Sequence, residues 1–246
     1  MRGGRAFLAV CAALGVGLWA DPALAQSINI DLGGDASSTA RIVQLIALIT
    51  VMSLAPSLIV MVTSFTRIIV VLGFVRTAMG TQQTPPNQVL ISLALFLTLF
   101  IMTPTLEASY NAGIKPMMDG ELEELEAMER AAKPFHDFMM RHVREADLLL
   151  FADIAELPEE IVAEEIPYRV LIPAFMISEL RKAFEMGFLL FLPFLVIDMT
   201  VASVLMSMGM MMLPPIIVAL PFKIIFFVLV DGWYMLSGSL VRSFGG

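Results

Sequence analysis

The 246-residue chain holds one cysteine, Cys11, and two histidines, His136 and His142. Charge is scarce too: 15% of the residues are Asp, Glu, Lys or Arg, against about 25% in an ordinary soluble domain. These shortages exclude much chemistry. One cysteine cannot close an internal disulfide or supply a thiolate zinc site. His136 and His142 are six apart, off the i,i+4 spacing that brings two imidazoles to one helix face, and Arg141 and Arg144 beside them repel a cation. Neither a His-Glu-x-x-His motif nor a Gly-x-x-x-x-Gly-Lys phosphate loop occurs. A formal net charge of -8 argues against a nucleic-acid partner, which needs a basic face for phosphate. The expectation is a protein without catalytic residues, metal site or cofactor.

What the sequence does have is apolar length. Hydrophobic residues make up 58%, 19 of them methionine, and the mean hydropathy is +0.84. They gather in blocks that reach the roughly 20 residues a helix needs to cross a bilayer, which predicts an all-α integral membrane protein. At the start, Arg2 and Arg5 precede the uncharged stretch Ala6 to Leu18, and Ala23-Leu24-Ala25 is a small-x-small cleavage pattern. Residues 1–25 are therefore expected to be a signal peptide cut after Ala25, with a retained anchor as the alternative. Cys11 leaves with it, and the mature N-terminus lies outside the cytoplasm.

Residues 26–41 then form a short periplasmic N-terminal segment, and 42–66 a first apolar helix, uncharged and kinked at Pro56. Residues 67–88 read as a loop with Arg67 and Arg76 and no acid, on the cytoplasmic side by the positive-inside rule. Thr84-Pro85-Pro86-Asn87 breaks into a second apolar helix over 89–106. Residues 107–170 differ in kind: between Glu107 and Tyr168 stand 16 acidic residues and 5 basic ones. Leu122, Leu125 and Met128 recur there at helical spacing, and Phe135, Phe138, Met139 and His142 continue the pattern after Pro134. Pro158 before Glu159-Glu160 reads as a further helix start. The expectation is a small, acidic, periplasmic helical domain.

Residues 171–213 read as an amphipathic helix running into a third apolar helix and a Met-rich loop. Phe175, Leu180 and Phe184 form its apolar face, with Glu179, Arg181, Lys182 and Glu185 on the remainder. Residues 214–246 supply a fourth apolar helix, broken by Pro215 and Pro221, and the C-terminus. The predicted architecture is two bent helical hairpins plus the acidic domain.

Two features of the last apolar blocks invite function. Asp198 and Lys223 each sit among apolar residues, where an unpaired charge costs at least ~2.5–3.5 kcal/mol and so finds a partner or water. In a hairpin the two could meet, as a structural ion pair or as a site of gating or proton coupling. The second feature is Met206-Ser207-Met208-Gly209-Met210-Met211-Met212-Leu213-Pro214-Pro215. Glycine and two prolines make a bend, crowned by Met208, Met210, Met211 and Met212. Flexible thioethers suit a deformable apolar constriction, and they also favour Cu(I), although the hairpins add neither cysteine nor histidine.

Two long stretches carry a family resemblance: SFTRIIVVLGFVRTAMGTQQTPPNQVLISLALFLTLFIM (Ser64 to Met102) and IPAFMISELRKAFEMGFLLFLPFLVIDMTVASVLMSMGMMMLPP (Ile172 to Pro215). The chain closely resembles the FliP family of flagellar type III export-gate proteins. That resemblance implies a homopentamer completed by FliQ and FliR into a helical ring in the inner membrane at the flagellar basal body, beside other flagellar export apparatus proteins and membrane lipid. Unfolded flagellar subunits would pass through it, with Met210-Met211-Met212 matching a methionine-rich gasket. It implies bent hairpins raised to the periplasmic side, so individual helices need not cross a bilayer. The alternatives are a virulence type III gate component, or a small-solute or Cu(I) transporter using Asp198, Lys223 and the methionines.

Overall fold

The computed structural model describes residues 38–158, 166–210 and 212–245. The signal-peptide reading with its cut after Ala25, the helix start at Glu159 and the position of Met211 lie outside the described residues. Every element among those described is helical.

The chain forms two compact units, Met1–Val51 and Met52–Gly246, whose boundary falls within the first helix. That helix, α1 (Ser38–Met61), runs through Pro56 without a break. Its early turns expose Ile42, Val43, Ile46 and Ile49.

In the second unit, residues expected to be a loop form α2 (Phe65–Ala78). Ile68, Val71, Leu72 and Val75 fall at helical spacing and are fully buried, and the chain turns only at Gly80, in the left-handed region at φ +76°. Next comes α3 (Asn87–Ser109), continued by a π-helical turn (Tyr110–Ile114) and α4 (Lys115–Met118). Together they form one apolar rod, Asn87–Met118, long enough to cross a membrane.

The acidic middle folds as α5 (Glu124–His142) and α6 (Glu145–Ile154). Acids open α5 and Arg141 and His142 close it, matching the helix dipole. Its inward face is the expected one only beyond Pro134, where Phe138 and Met139 are buried. Leu125 and Met128 point outward, and the buried stripe runs through Ala127 to Phe138 and Met139. Small residues permit this. An added Cβ on Gly113 of the π-helical turn would lie 2.2 Å from the Ala127 carbonyl oxygen, and Ser109 Oγ donates to the Ala131 carbonyl at 2.7 Å. Backbones this close leave no room for leucine between them.

The long helix α7 (Tyr168–Ser207) starts after Pro167 rather than at Pro173, and Pro173 and Pro193 lie inside it. α2 packs along it, with Gly187 so close to Phe74 that a Cβ would meet the ring at 2.4 Å. After the methionine bend the chain returns as α8 (Pro215–Leu229) and, across a 62° bend, α9 (Gly232–Arg242). Among the described residues, two helices are thus long and apolar enough to cross a membrane, or three if the α8–α9 pair counts as one span. Phe96, Leu99 and Phe100 of α3, Phe188, Leu189 and Val196 of α7, and Ile216 and Ile217 of α8 all face outward. Apolar surface on this scale is covered by lipid or by protein.

Candidate functional site

Folding α8 back along α7 brings Lys223 to Asp198. The Lys223 ammonium donates to Asp198 Oδ2 at 2.6 Å and to the Ala78 carbonyl oxygen, at the end of α2, at 3.1 Å. Lys223 is 4% exposed. An ammonium so enclosed needs both acceptors, and the negative end of a helix suits the second. Asp198 is more exposed overall, but its Oδ1 is buried with no donor in reach among the described residues.

The methionine bend lies beyond this pair. α7 stops in a Schellman motif: the Met210 N–H donates to the Leu205 carbonyl and the Gly209 N–H to that of Met206. Gly209 takes the left-handed conformation the motif needs, φ +74°. Pro214 and Pro215 then start α8, where a missing N–H costs nothing. Two of the methionines are presented rather than packed, Met212 at 98% exposure and Met208 at 64%, while Met210 is half-buried.

A second ion pair escaped the sequence reading. Arg67, expected as a cytoplasmic-side loop charge, sits on α2 at 2% exposure. Its Nε donates to Glu179 Oε2 at 2.7 Å and its Nη2 to Oε1, a bidentate pair. Its Nη1 donates to the Ser243 carbonyl and hydroxyl at 3.1 and 2.9 Å, and the Phe244 ring lies 3.7 Å from the guanidinium carbon. Glu179 therefore belongs to the buried face of α7, with Phe175 and Ala183, while Phe184 faces out. The spacing held the signal: 175, 179 and 183 are successive i,i+4 positions, so an acid stood in an apolar stripe. Arg76 has a local task, donating to the Pro85 carbonyl and Asn87 Oδ1 across the turn between α2 and α3.

Around this knot, Lys182 donates to the His142 carbonyl at the end of α5, and Ser178 binds the Arg144 N–H and Asp147. The His142 ring packs against Phe138 and Phe244. Burial first, then the charges of Arg67, Lys182 and Arg141, lower its pKa from 6.5 to about 4. His136 is separate, its Nε2 2.9 Å from the Ile166 carbonyl oxygen.

The sequence profile of the FliP family matches residues 48–240. The chain belongs to the FliP family. Among its relatives, the flagellar biosynthetic protein FliP of Caulobacter vibrioides is 59% identical over 240 residues, covering 97% of this chain and 90% of the relative. That of Bacillus subtilis is 51% identical over 219 residues, covering 89% and 99%, and that of Aquifex aeolicus 49% identical over 204 residues, covering 82% and 85%. The FliP match spans both ion pairs and the methionine bend, and it ends before Ser243 and Phe244.

Proposed function

We propose that this chain is a pore-forming subunit of the flagellar type III protein export gate, without catalysis of its own. Five copies would assemble with FliQ and FliR in the bacterial inner membrane, the acidic α5–α6 region on the periplasmic side, beside the other flagellar export proteins. Unfolded flagellar subunits would pass through the ring. Membership of the FliP family and the printed name of its relatives, flagellar biosynthetic protein, support the flagellar assignment.

The observation that carries the pore reading is the presentation of the methionines. They stand on a bend capped at one end by a Schellman motif and at the other by two prolines, on a hairpin that Asp198 and Lys223 hold together. Such a support keeps the backbone in place while exposed thioethers change rotamer, which is what a seal around a varying chain requires. In a ring, the outward apolar faces of α3, α7 and α8 would pack on neighbouring copies and on lipid. Secretion tests this. Deleting the chain is expected to remove hook and filament protein from the medium while their cytoplasmic synthesis continues, and restoring it should bring them back. Normal secretion in the deletion strain would contradict the proposal.

A further inference from the structure

Where the end of α5 meets α3 lies a cavity of about 640 Å³. Its walls differ in chemistry. Ile101, Pro104 and Thr105 of α3, with the Phe138 ring, make one side apolar, and Arg141 and His142 face it together with the tail at Ser243 to Gly245. The α3 wall belongs to the rod Asn87–Met118, which is apolar enough to lie in a membrane, while α5 is amphipathic and charged. The cavity therefore joins an apolar wall to a charged one.

The charges around it do not cancel. Arg67, Lys182 and Arg141 all act on His142 in the same sense. Of the nearby carboxylates, Glu179 is held by Arg67 with Lys182 at 3.9 Å, and Asp147 by Ser178 with Arg144 at 3.8 Å. Arg141 has no ion pair among the described residues; its Nε donates to the Asp137 carbonyl, on its own helix, at 3.3 Å. The negative end of the α5 dipole opposes an anion here, but Lys182 already caps the His142 carbonyl. An unpaired guanidinium thus lines a cavity whose opposite wall is hydrocarbon.

We propose that this cavity binds the anionic headgroup of a membrane phospholipid, Arg141 taking the phosphate and the α3 wall receiving the first methylenes of an acyl chain. Guanidinium groups meet phosphate oxygens with charge-assisted hydrogen bonds. A free phosphate would leave the apolar wall unused. A zwitterionic lipid would bring its own cation toward Arg67, Lys182 and Arg141. The site does not depend on the pore reading and stands or falls separately from it.

His142 is a built-in reporter, because a phosphate nearby offsets the cations that hold its pKa down. The full chain, isotope-labelled at histidine in zwitterionic micelles, is titrated by NMR with and without phosphatidylglycerol. The lipid is expected to raise the His142 midpoint by about one pH unit or more, a tenfold gain in proton affinity, and inorganic phosphate to leave it in place. The lipid-induced rise should vanish in Arg141→Gln and persist in Arg181→Gln, whose exposed arginine pairs with Glu185 away from the cavity. Ile101→Trp, which fills the apolar wall without changing a charge, should weaken it too. An unmoved midpoint would overturn the proposal. So would an equal rise with inorganic phosphate, which marks a free-anion site, or a rise surviving in Arg141→Gln, which marks only the charge of the micelle surface.

Discussion

At the scale of single residues, two enclosed cations decide what can be changed. Lys223 is the more exacting, because its acceptors come from two other helices, Asp198 on α7 and Ala78 on α2. Asp198→Ala strands a buried ammonium, a loss of about 3 kcal/mol or more, whereas removing both members of a buried pair is often far milder. Thermal unfolding in detergent is expected to rank Asp198→Ala below the Asp198→Ala, Lys223→Ala double variant; a double no better than the single would show that the residues are not a simple pair. His142 offers a different test. Its folded pKa of about 4 lies below the unfolded 6.5, so the unfolded chain takes up the proton first. Its contribution to stability is full above about pH 6.5 and declines as pH falls toward 4. His142→Gln should flatten that decline in unfolding measured from pH 7 to pH 4.5, and an unchanged slope would place the titration elsewhere.

The two pairs were unequally legible. Asp198 and Lys223 stood out because nothing charged surrounds them in sequence, and a hairpin was the obvious way to join them. Arg67 and Glu179 were hidden for opposite reasons. The positive-inside rule already explained Arg67, and Glu179 sits in the charged run Ser178-Glu179-Leu180-Arg181-Lys182, where the polar face was expected. Only the pairing across 112 positions resolves both, and no local pattern contains it.

At the scale of elements, small residues decide the packing. The first half of α5 hides its inward stripe from the sequence, because Ala127 and Ala131 carry little hydropathy signal but allow a backbone to approach. Leu125 and Met128 had the signal and face outward. Gly113→Ala therefore tests the α5 contact: its Cβ would meet backbone atoms of Ala127 and Ala131, which cannot rotate away. Overpacking of this kind costs about 1–3 kcal/mol. Proteolysis in the acidic region should become faster in that variant, and an unchanged digestion rate would refute the close contact. In α2, Arg67 and Arg76 without an acid mark a loop by sequence, yet the buried residues hold helical spacing throughout. The 40-residue α7 is continuous through Pro173 and Pro193, but its inward face is not the one the apolar spacing of Phe175, Leu180 and Phe184 marks.

For the whole molecule, the described helices join a charged region at α5–α6 to an apolar one at α7–α9, with the Arg67–Glu179 knot between them. Arg67 draws α2, α7 and the tail together, and Lys182 adds the end of α5. The apolar faces left open on α3, α7 and α8 fit a subunit completed by neighbours, as the proposed ring requires. At the far end of the α7–α8 hairpin, Met208 and Met212 remain uncovered. In the proposed gate the methionine bend closes the pore without being rigid. Its most direct test is the ion permeability of cells that assemble the complete gate with Met210, Met211 and Met212 all changed to alanine. Membranes are expected to leak ions while the gate still assembles; permeability equal to that of the unaltered gate, with assembly intact, would contradict the seal.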